Sequence, residues 1–424
     1  MAATSGMIRS AMTYILKEQY GPQLVNLLVE ETDLLKEFEK KEFDLRGNEF
    51  VVPLQVGTNE GIGAGADTTA LPTAGVPTFR QGLFKSKQQR AAVRVTKESM
   101  DITKGNVGSW ISAWDFSLRD ATFNLRNHLD IMLYGNGTGE LAHVTGNVDG
   151  TSVSGLIGNQ GPEGDHYLKN GMVVDLVSHL DNGTLVGQAL TVSAVTKTGF
   201  TVTTGATGYS AISGSGNGDY FVRTGTLGYN PQGLRSIINS ANPAVNSNAL
   251  FTTAGSYYGG LDRTDSNNVL WQGIQADLTN LDINKLNAMY DQYLEYSQPA
   301  KKLQLRTHLS TVRKLASLFF PTYMQYRTAD IEGKSEVSWN ELTYRGTIIK
   351  ANKNCWRQDF YMYDPTWFRI GQVTPLGWLD DEGSVIKWDA GYAAFVAYLI
   401  WQMELVCEKP NSSMRGYNAE TVTT

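Results

Sequence analysis

Gly61-Ile62-Gly63-Ala64-Gly65-Ala66 comes closest of any segment to a chemistry-bearing motif: its glycine spacing nearly matches the dinucleotide fingerprint, and it follows a strand-like run, Phe50 to Val56. A dinucleotide site needs a helix next, because the helix N-terminus holds the pyrophosphate. Asp67-Thr68-Thr69 and Pro72 follow instead, so the glycines read as a hairpin tip. The histidines (His128, His143, His166, His179 and His308) have no partner at i+4 and no nearby cysteine, so they read as core or surface residues and no metal site is expected. Cys355 and Cys407 stand alone, without a Cys-x-x-Cys spacing, and fit a reducing compartment. Asp380-Asp381-Glu382 before Gly383 reads as a solvated turn. Neither a Gly-x-Ser-x-Gly elbow nor a phosphate-binding loop occurs. No catalytic residue, cofactor or metal is therefore expected.

One charge pattern remains. Arg80, Lys85, Lys87, Arg90, Arg94 and Lys97 include no acid among them. The stretch from Glu30 to Asp44 has seven acidic and three basic residues. A solvated strand face is the plain reading of the basic run. Nucleic-acid binding has thin aromatic support. Pairing with an acidic surface on a neighbouring copy is the third reading. The Leu24, Leu27, Leu28, Leu34, Leu35 and Phe38 stripe has helical spacing, suited to a core or to docking on a neighbour. Leu24, Leu28, Leu35, Glu37, Glu39, Lys85, Lys87, Arg90 and Arg94 are thus the candidate contact residues.

The chain has 424 residues, enough for two or three domains, and a net charge of −6. Its charged fraction, 18%, lies below the ~25% of an average soluble protein, and it holds 43 Gly, 20 Tyr and 9 Trp. Such a chain can hide much surface against copies of itself. Nothing global marks a high-affinity nucleic-acid binder. No basic segment followed by an apolar core marks a signal peptide, and the apolar stretch Ala393 to Ile400 is too short to span a bilayer.

The elements that would carry these residues follow from periodicity. Residues 7–41 read as two helices broken at Gly21-Pro22. Phe50–Val56 and Leu83–Thr96 read as the strands of a long hairpin. Ser99–Tyr134 reads as one long helix, roughly 40 Å at ~1.5 Å per residue, ended by Gly135-Asn136-Gly137. Residues 145–228 contain 17 glycines and three basic residues, with short strands near 172–177, 190–195, 200–203 and 220–223; turn signals between them suit a small barrel or sandwich. Beyond 230, helices are expected at 269–280, at 283–297 capped by Asp282, and from Ser310 to Pro321. Strands are expected at 303–306, 347–350, 359–363 and 367–370, with a buried strand or strand pair in Ala390–Cys407.

Two short signatures tie this order together. His128 to Gly139 ends a helix in Gly-Asn-Gly-Thr-Gly, and Asn230-Pro231-Gln232-Gly233-Leu234 follows about ninety residues later. The order and the two signatures resemble the major capsid proteins of tailed phages, of the Hong Kong 97-like fold family, in which a Gly-x-Gly helix end leads by a short loop to Pro-x-Gly-(Leu/Ile). Here the join is interrupted by the glycine-rich block. The resemblance implies an α+β fold with N-arm, extended loop, peripheral and axial domains, plus an inserted small all-β domain. The implied parts are an N-terminal arm (1–46), an extended β-hairpin loop (47–98), a spine helix with the first part of the peripheral domain (99–144), the inserted β-barrel-like domain (145–228), an axial domain (229–372) and C-terminal strands of the peripheral domain (373–424). It further implies hexamers and pentamers of the chain in an icosahedral shell around double-stranded DNA, with only weak contact to that DNA. Scaffolding, portal and decoration proteins would be partners, with assembly in the host bacterial cytoplasm and no membrane. Other readings are an encapsulin-like shell for protein cargo, an enzyme with a β-rich accessory domain, and a β-rich surface or tail protein.

Overall fold

The computed structural model describes residues 32–39, 43–44, 49–64, 70, 73–103, 113–143, 152–156, 167–178, 185–193, 195, 199–203, 219–240, 257–297, 302–323, 342–380, 385–389 and 391–419. The chain opens with helix α1 (Asp33–Glu39), strand β1 (Phe43–Asp44) and the antiparallel pair β2 (Phe50–Gln55) and β3 (Phe79–Phe84). Then come β4 (Lys87–Thr96), α2 (Lys97–Thr103) and α3 (Ala113–Tyr134). The glycine-rich block supplies β5 (Ala142–His143), β6 (Ser152–Leu156), β7 (Val173–Val177), β8 (Leu185–Ser193), β9 (Gly199–Thr203) and β10 (Tyr220–Arg223). After it lie α4 (Leu234–Ile237), β11 (Tyr257–Tyr258), β12 (Leu261–Asp262), β13 (Ile274–Asp277), α5 (Ile283–Tyr296), β14 (Gln304–Thr307) and α6 (Leu309–Tyr323). The chain continues with β15 (Thr343–Tyr344), β16 (Thr347–Ala351), β17 (Phe360–Tyr363), β18 (Phe368–Trp378), β19 (Lys387–Asp389), β20 (Ala394–Cys407) and β21 (Ser413–Tyr417).

Three sheets organise these strands. In the first, β20 is central: β18 and β19 pair with one edge and β4 with the other, while β1 adds to β18 in parallel. Helix α3 lies on β4, with Trp114 and Ala113 packed on Val93, Val95 and Ala397. Its opposite end carries Leu125, Leu129 and Leu133 into the largest core, with Leu34, Leu35 and Phe38 of α1 and Ile370, Trp401 and Leu405 of β18 and β20. This spacing of three and four is what an amphipathic helix needs to bury one stripe. The second sheet runs in the order β5-β10-β7-β8-β9-β6, with its own apolar cluster anchored on Met132 of α3. Asp175, buried inside β7, is satisfied by Ala189 N–H (2.8 Å), Thr224 Oγ1 (2.9 Å) and Gly225 N–H (3.0 Å). The third is a mixed sheet, β13-β21-β17-β14-β16-β15, packed on α5 and α6 through Leu286, Met289, Leu315 and Phe319.

Several expectations are corrected. The long second hairpin strand is two strands. Phe79–Phe84 pairs with β2, whereas Lys87–Thr96 leaves the hairpin to pair with β20. A ten-residue partner strand in the main sheet outweighs a two-stranded ribbon, which buries little. The single helix over 99–134 is also divided. Ala113 N–H donates to Thr103 Oγ1 (3.3 Å), whereas ten residues of continuous helix would hold them about 15 Å apart. The helix expected at 269–280 is instead a 3-10 turn, Ser266–Trp271, and strand β13, which β21 captures by parallel pairing. Helix α6 starts at Leu309, not after Ser310: Val312 N–H donates to His308 O, and Ser310 N–H to His308 Nδ1 (3.2 Å). The 373–424 segment divides between two sheets, because β21 crosses to pair with β13 and β17. The glycine-rich block pairs along one open path, with β5 and β6 at its edges, and among the described strands no pairing closes it into a barrel. The region of the expected helices at 7–31 and of Leu24, Leu27 and Leu28 lies outside the described residues.

Candidate functional site

The two halves of the interrupted signature meet in space. Gly137 (φ +85°) and Gly139 (φ +87°) turn the chain after α3, a backbone that side-chain-bearing residues rarely adopt. Asn230 is buried against this turn and donates from Nδ2 to Thr138 O (3.3 Å) and Thr226 O (2.8 Å). Gly233 sits so close to the helix end that a Cβ there would lie 2.4, 2.5 and 2.6 Å from the carbonyl oxygens of Met132, Gly135 and Leu133. The return segment is held by three side chains of the first sheet. Glu404 Oε1 accepts from Gln232 N–H (2.7 Å), Lys87 Nζ donates to Gly228 O (2.6 Å) and Gln89 Nε2 to Tyr229 O (2.7 Å). The second sheet therefore leaves and re-enters the body through one fixed junction. Burial pushes two carboxyls there toward neutrality: Glu404 to about 8, offset by the Gln232 N–H and Lys87, and Glu140 to about 7, offset by Arg235 and Asn136.

A second buried polar centre ties α1 to the third sheet. Asp130 of α3 accepts from Leu35 N–H (3.1 Å) and from Asn354 Nδ2 (2.8 Å). Arg306 is bonded to Glu37 and to Tyr134 OH (3.0 Å), and Lys350 approaches Glu37 at 3.8 Å. Asp359 pairs with Arg415 (3.0 Å) and accepts from Tyr361 OH (2.8 Å), and Arg235 stacks 3.7 Å over the Trp356 ring. These contacts lock elements together. Among the described residues no three His, Cys, Asp or Glu side chains are grouped to hold a metal ion, and both cysteines are buried. Gly61 N–H donates to Asn59 Oδ1 (2.9 Å), so the dinucleotide-like glycines begin a tight turn and no helix follows in the described part.

The candidate contact residues divide. Leu24 and Leu28 lie outside the described residues, as does the side chain of Glu39. Leu35 is buried in the chain's own core, and Glu37 is engaged by Arg306 and Lys350. Lys85 is exposed beside Glu49 (3.3 Å). Lys87, Arg90 and Arg94 belong to β4 in the main sheet, where Arg94 pairs with Asp389 (2.9 Å) and lies over the Tyr392 ring. The sequence reasoning missed a different set. Ile62 is 90% exposed, Val76 82% and Phe79 67%, all in or beside the hairpin tip. The signal was present as apolar residues in a glycine-rich stretch that no local core could cover.

Comparison with known proteins supplies the fold. No family model and no curated protein sequence matches the chain. Among solved structures, a chain of the cyanophage A-1(L) capsid asymmetric unit superposes with a TM-score of 0.58 at 12% identity, covering 97% of this chain and 99% of that one. A chain from the capsid of a native GTA particle gives 0.50 at 10% identity, covering 99% and 100%. The chain has the phage capsid fold. The α+β class and the resemblance read from the two signatures agree with it, and the end-to-end coverage includes the interrupted join.

Proposed function

We propose that this chain is the major subunit of a tailed-phage-type capsid: many copies associate into an icosahedral shell that encloses double-stranded DNA, and the chain catalyses no reaction. The reading rests on end-to-end likeness, in both directions, to a capsid chain with which it shares 12% of its residues. Exposed apolar residues at the hairpin tip support it, since Ile62 and Val76 find no cover within the chain and such residues mark contact surfaces. The work is done by buried interface area, repeated by symmetry. Lys85, Lys87, Arg90 and Arg94 remain the proposed inter-subunit cations, now carried by β4 and the turn before it. Leu35 and Glu37 serve within the subunit. Residues 145–228 are proposed as a unit inserted at the junction. Scaffolding, portal and decoration proteins are the proposed partners, with assembly in a bacterial host.

Purified protein viewed by negative-stain microscopy tests the reading. Uniform closed shells, or their hexamer and pentamer building blocks, are the expected outcome. A monodisperse monomer at all concentrations and salt conditions, with no shells in lysates of producing cells, would refute it.

A further inference from the structure

A groove of about 1530 Å³ runs between β4, helix α3 and the loop from Arg223 to Tyr229. Ten successive residues, Lys85 to Arg94, line it. A groove over a strand's face would touch alternate residues only, so this one follows the strand's edge. The register gives the direction of that edge. Lys97 N–H donates to Ala393 O (3.0 Å), and the pairing from Ala394↔Thr96 to Met403↔Lys87 has no shift. Alternation then turns the backbone N–H and C=O of Gln88, Arg90, Ala92 and Arg94 away from β20. Among the described residues no other backbone bonds to them.

We propose that this groove receives an extended acidic segment of another protein, which adds as a strand to the outer edge of β4. Three observations converge. A long open edge is a template for pairing with another chain unless something covers it. The lining holds five cations (Lys85, Lys87, Arg90, Arg94 and Arg223) against Asp120 and Asp389. His128, in the same lining, adds no charge at neutral pH, because burial and the nearby Arg223 hold it down to about 3. The flanks are apolar enough for a strand to seat, with Tyr229 66% and Tyr398 41% exposed. A nucleic acid fits less well. The open edge alternates donors with acceptors, whereas a phosphodiester backbone offers acceptors only. Four of the cations are also turned to protein partners, Lys85 to Glu49, Lys87 to Gly228 O, Arg90 to Gln88 and Arg94 to Asp389, which leaves little unpaired charge for a densely charged phosphate chain. The inference does not depend on shell assembly.

The test uses the full-length chain and fluorescence anisotropy at about 50 mM salt, where charge is little screened. The probe is a labelled synthetic peptide of about ten residues alternating Glu with Thr and Val, a length matched to an edge of roughly 33 Å. Comparison probes carry Lys for Glu, carry N-methyl groups at alternate residues to remove one edge of donors, or are a single-stranded oligothymidylate. The acidic peptide is expected to bind, the Lys peptide at least tenfold more weakly, and the N-methylated peptide at background. Arg90→Glu should weaken the acidic peptide about fivefold, the loss of one partly exposed pair. Ala92→Pro removes one outward donor without touching the bonds to β20 and should weaken it further. The N-methylated peptide keeps the question decidable if Ala92→Pro fails to fold. Absent binding of the acidic peptide, equal binding of the Lys peptide, full binding of the N-methylated one, or displacement by oligothymidylate at lower concentration would each overturn the proposal.

Discussion

Gly233→Ala should be strongly destabilising. Gly233 has φ −112°, a conformation open to alanine, so the cost is not in the local backbone. It lies in space: the added Cβ would stand 2.4 to 2.6 Å from three carbonyl oxygens at the end of α3, all backbone atoms of a helix that is itself packed into two cores. Real Cβ contacts essentially never fall below 3.0 Å, so the return segment must move by something under an ångström. That motion would stretch the Gln232 N–H bond to Glu404 (2.7 Å) and the Asn230 bond to Thr138 (3.3 Å), both in the same segment. Overpacking costs about 1–3 kcal/mol, and loosening one buried hydrogen bond to a neutral carboxyl adds about 0.5–1.5 kcal/mol. A loss of about 2–4 kcal/mol follows. Urea unfolding of the unassembled subunit, followed by tryptophan fluorescence, measures it. Gly377→Ala is the control, since its Cβ meets only Pro375 O, at 3.7 Å, and should change stability by less than about 0.5 kcal/mol. Equal midpoints for the two variants would refute the claim that the junction is closed by contact at Gly233.

Arg306→Leu removes the buried partner of Glu37 and leaves it Lys350 (3.8 Å) and Tyr363 OH (3.5 Å), so it should cost about 2–3 kcal/mol in the same assay, whereas unchanged stability would mean the pair is not buried as described. Burial raises the Glu404 carboxyl to about 8, so the fold favours its protonated form; the associated stability is full below the ordinary carboxylate range and is lost as pH rises toward 8. Glu404→Gln, which keeps the acceptor for Gln232 N–H, should flatten the fall in melting temperature between pH 5 and 9, and an unaltered slope would count against the assignment. Ile62→Ser with Val76→Ser should leave subunit stability within about 0.5 kcal/mol of the parent, because both side chains are exposed, yet lower the yield of shells in sedimentation. Lys85→Glu with Arg90→Glu should slow assembly and reduce its salt dependence, and light scattering identical to the parent would reject an inter-subunit role for these cations.

Much of this fold was legible from local pattern. Strands β7 to β10, β14, β16, β17 and β20 and helix α5 lie within a few residues of where apolar runs, helical spacing and the Asp282 cap put them, since apolar β-forming runs bounded by turn signals, and one apolar helix stripe, mark segments that must be buried whatever their neighbours. The interrupted signature was legible too, because the glycines that make it possible are required by backbone geometry at Gly137 and Gly139 and by the closeness of chain at Gly233. Tertiary structure alone decided which strand pairs with which. Lys87–Thr96 alternates as a hairpin strand would, and only the presence of β20 draws it into the main sheet. Ile274–Asp277 has no strong local preference and becomes a strand because β21 returns beside it. Charge obeyed the same division. The basic run was plain in the sequence, but what it faces was not: Glu37 is held inside the subunit by Arg306, while Lys87, Arg90 and Arg94 line a groove whose other walls come from residues 117–128 and 223–229. Periodicity reports which face of an element is apolar, and partners far along the chain are chosen by packing, for which one element's sequence carries no record.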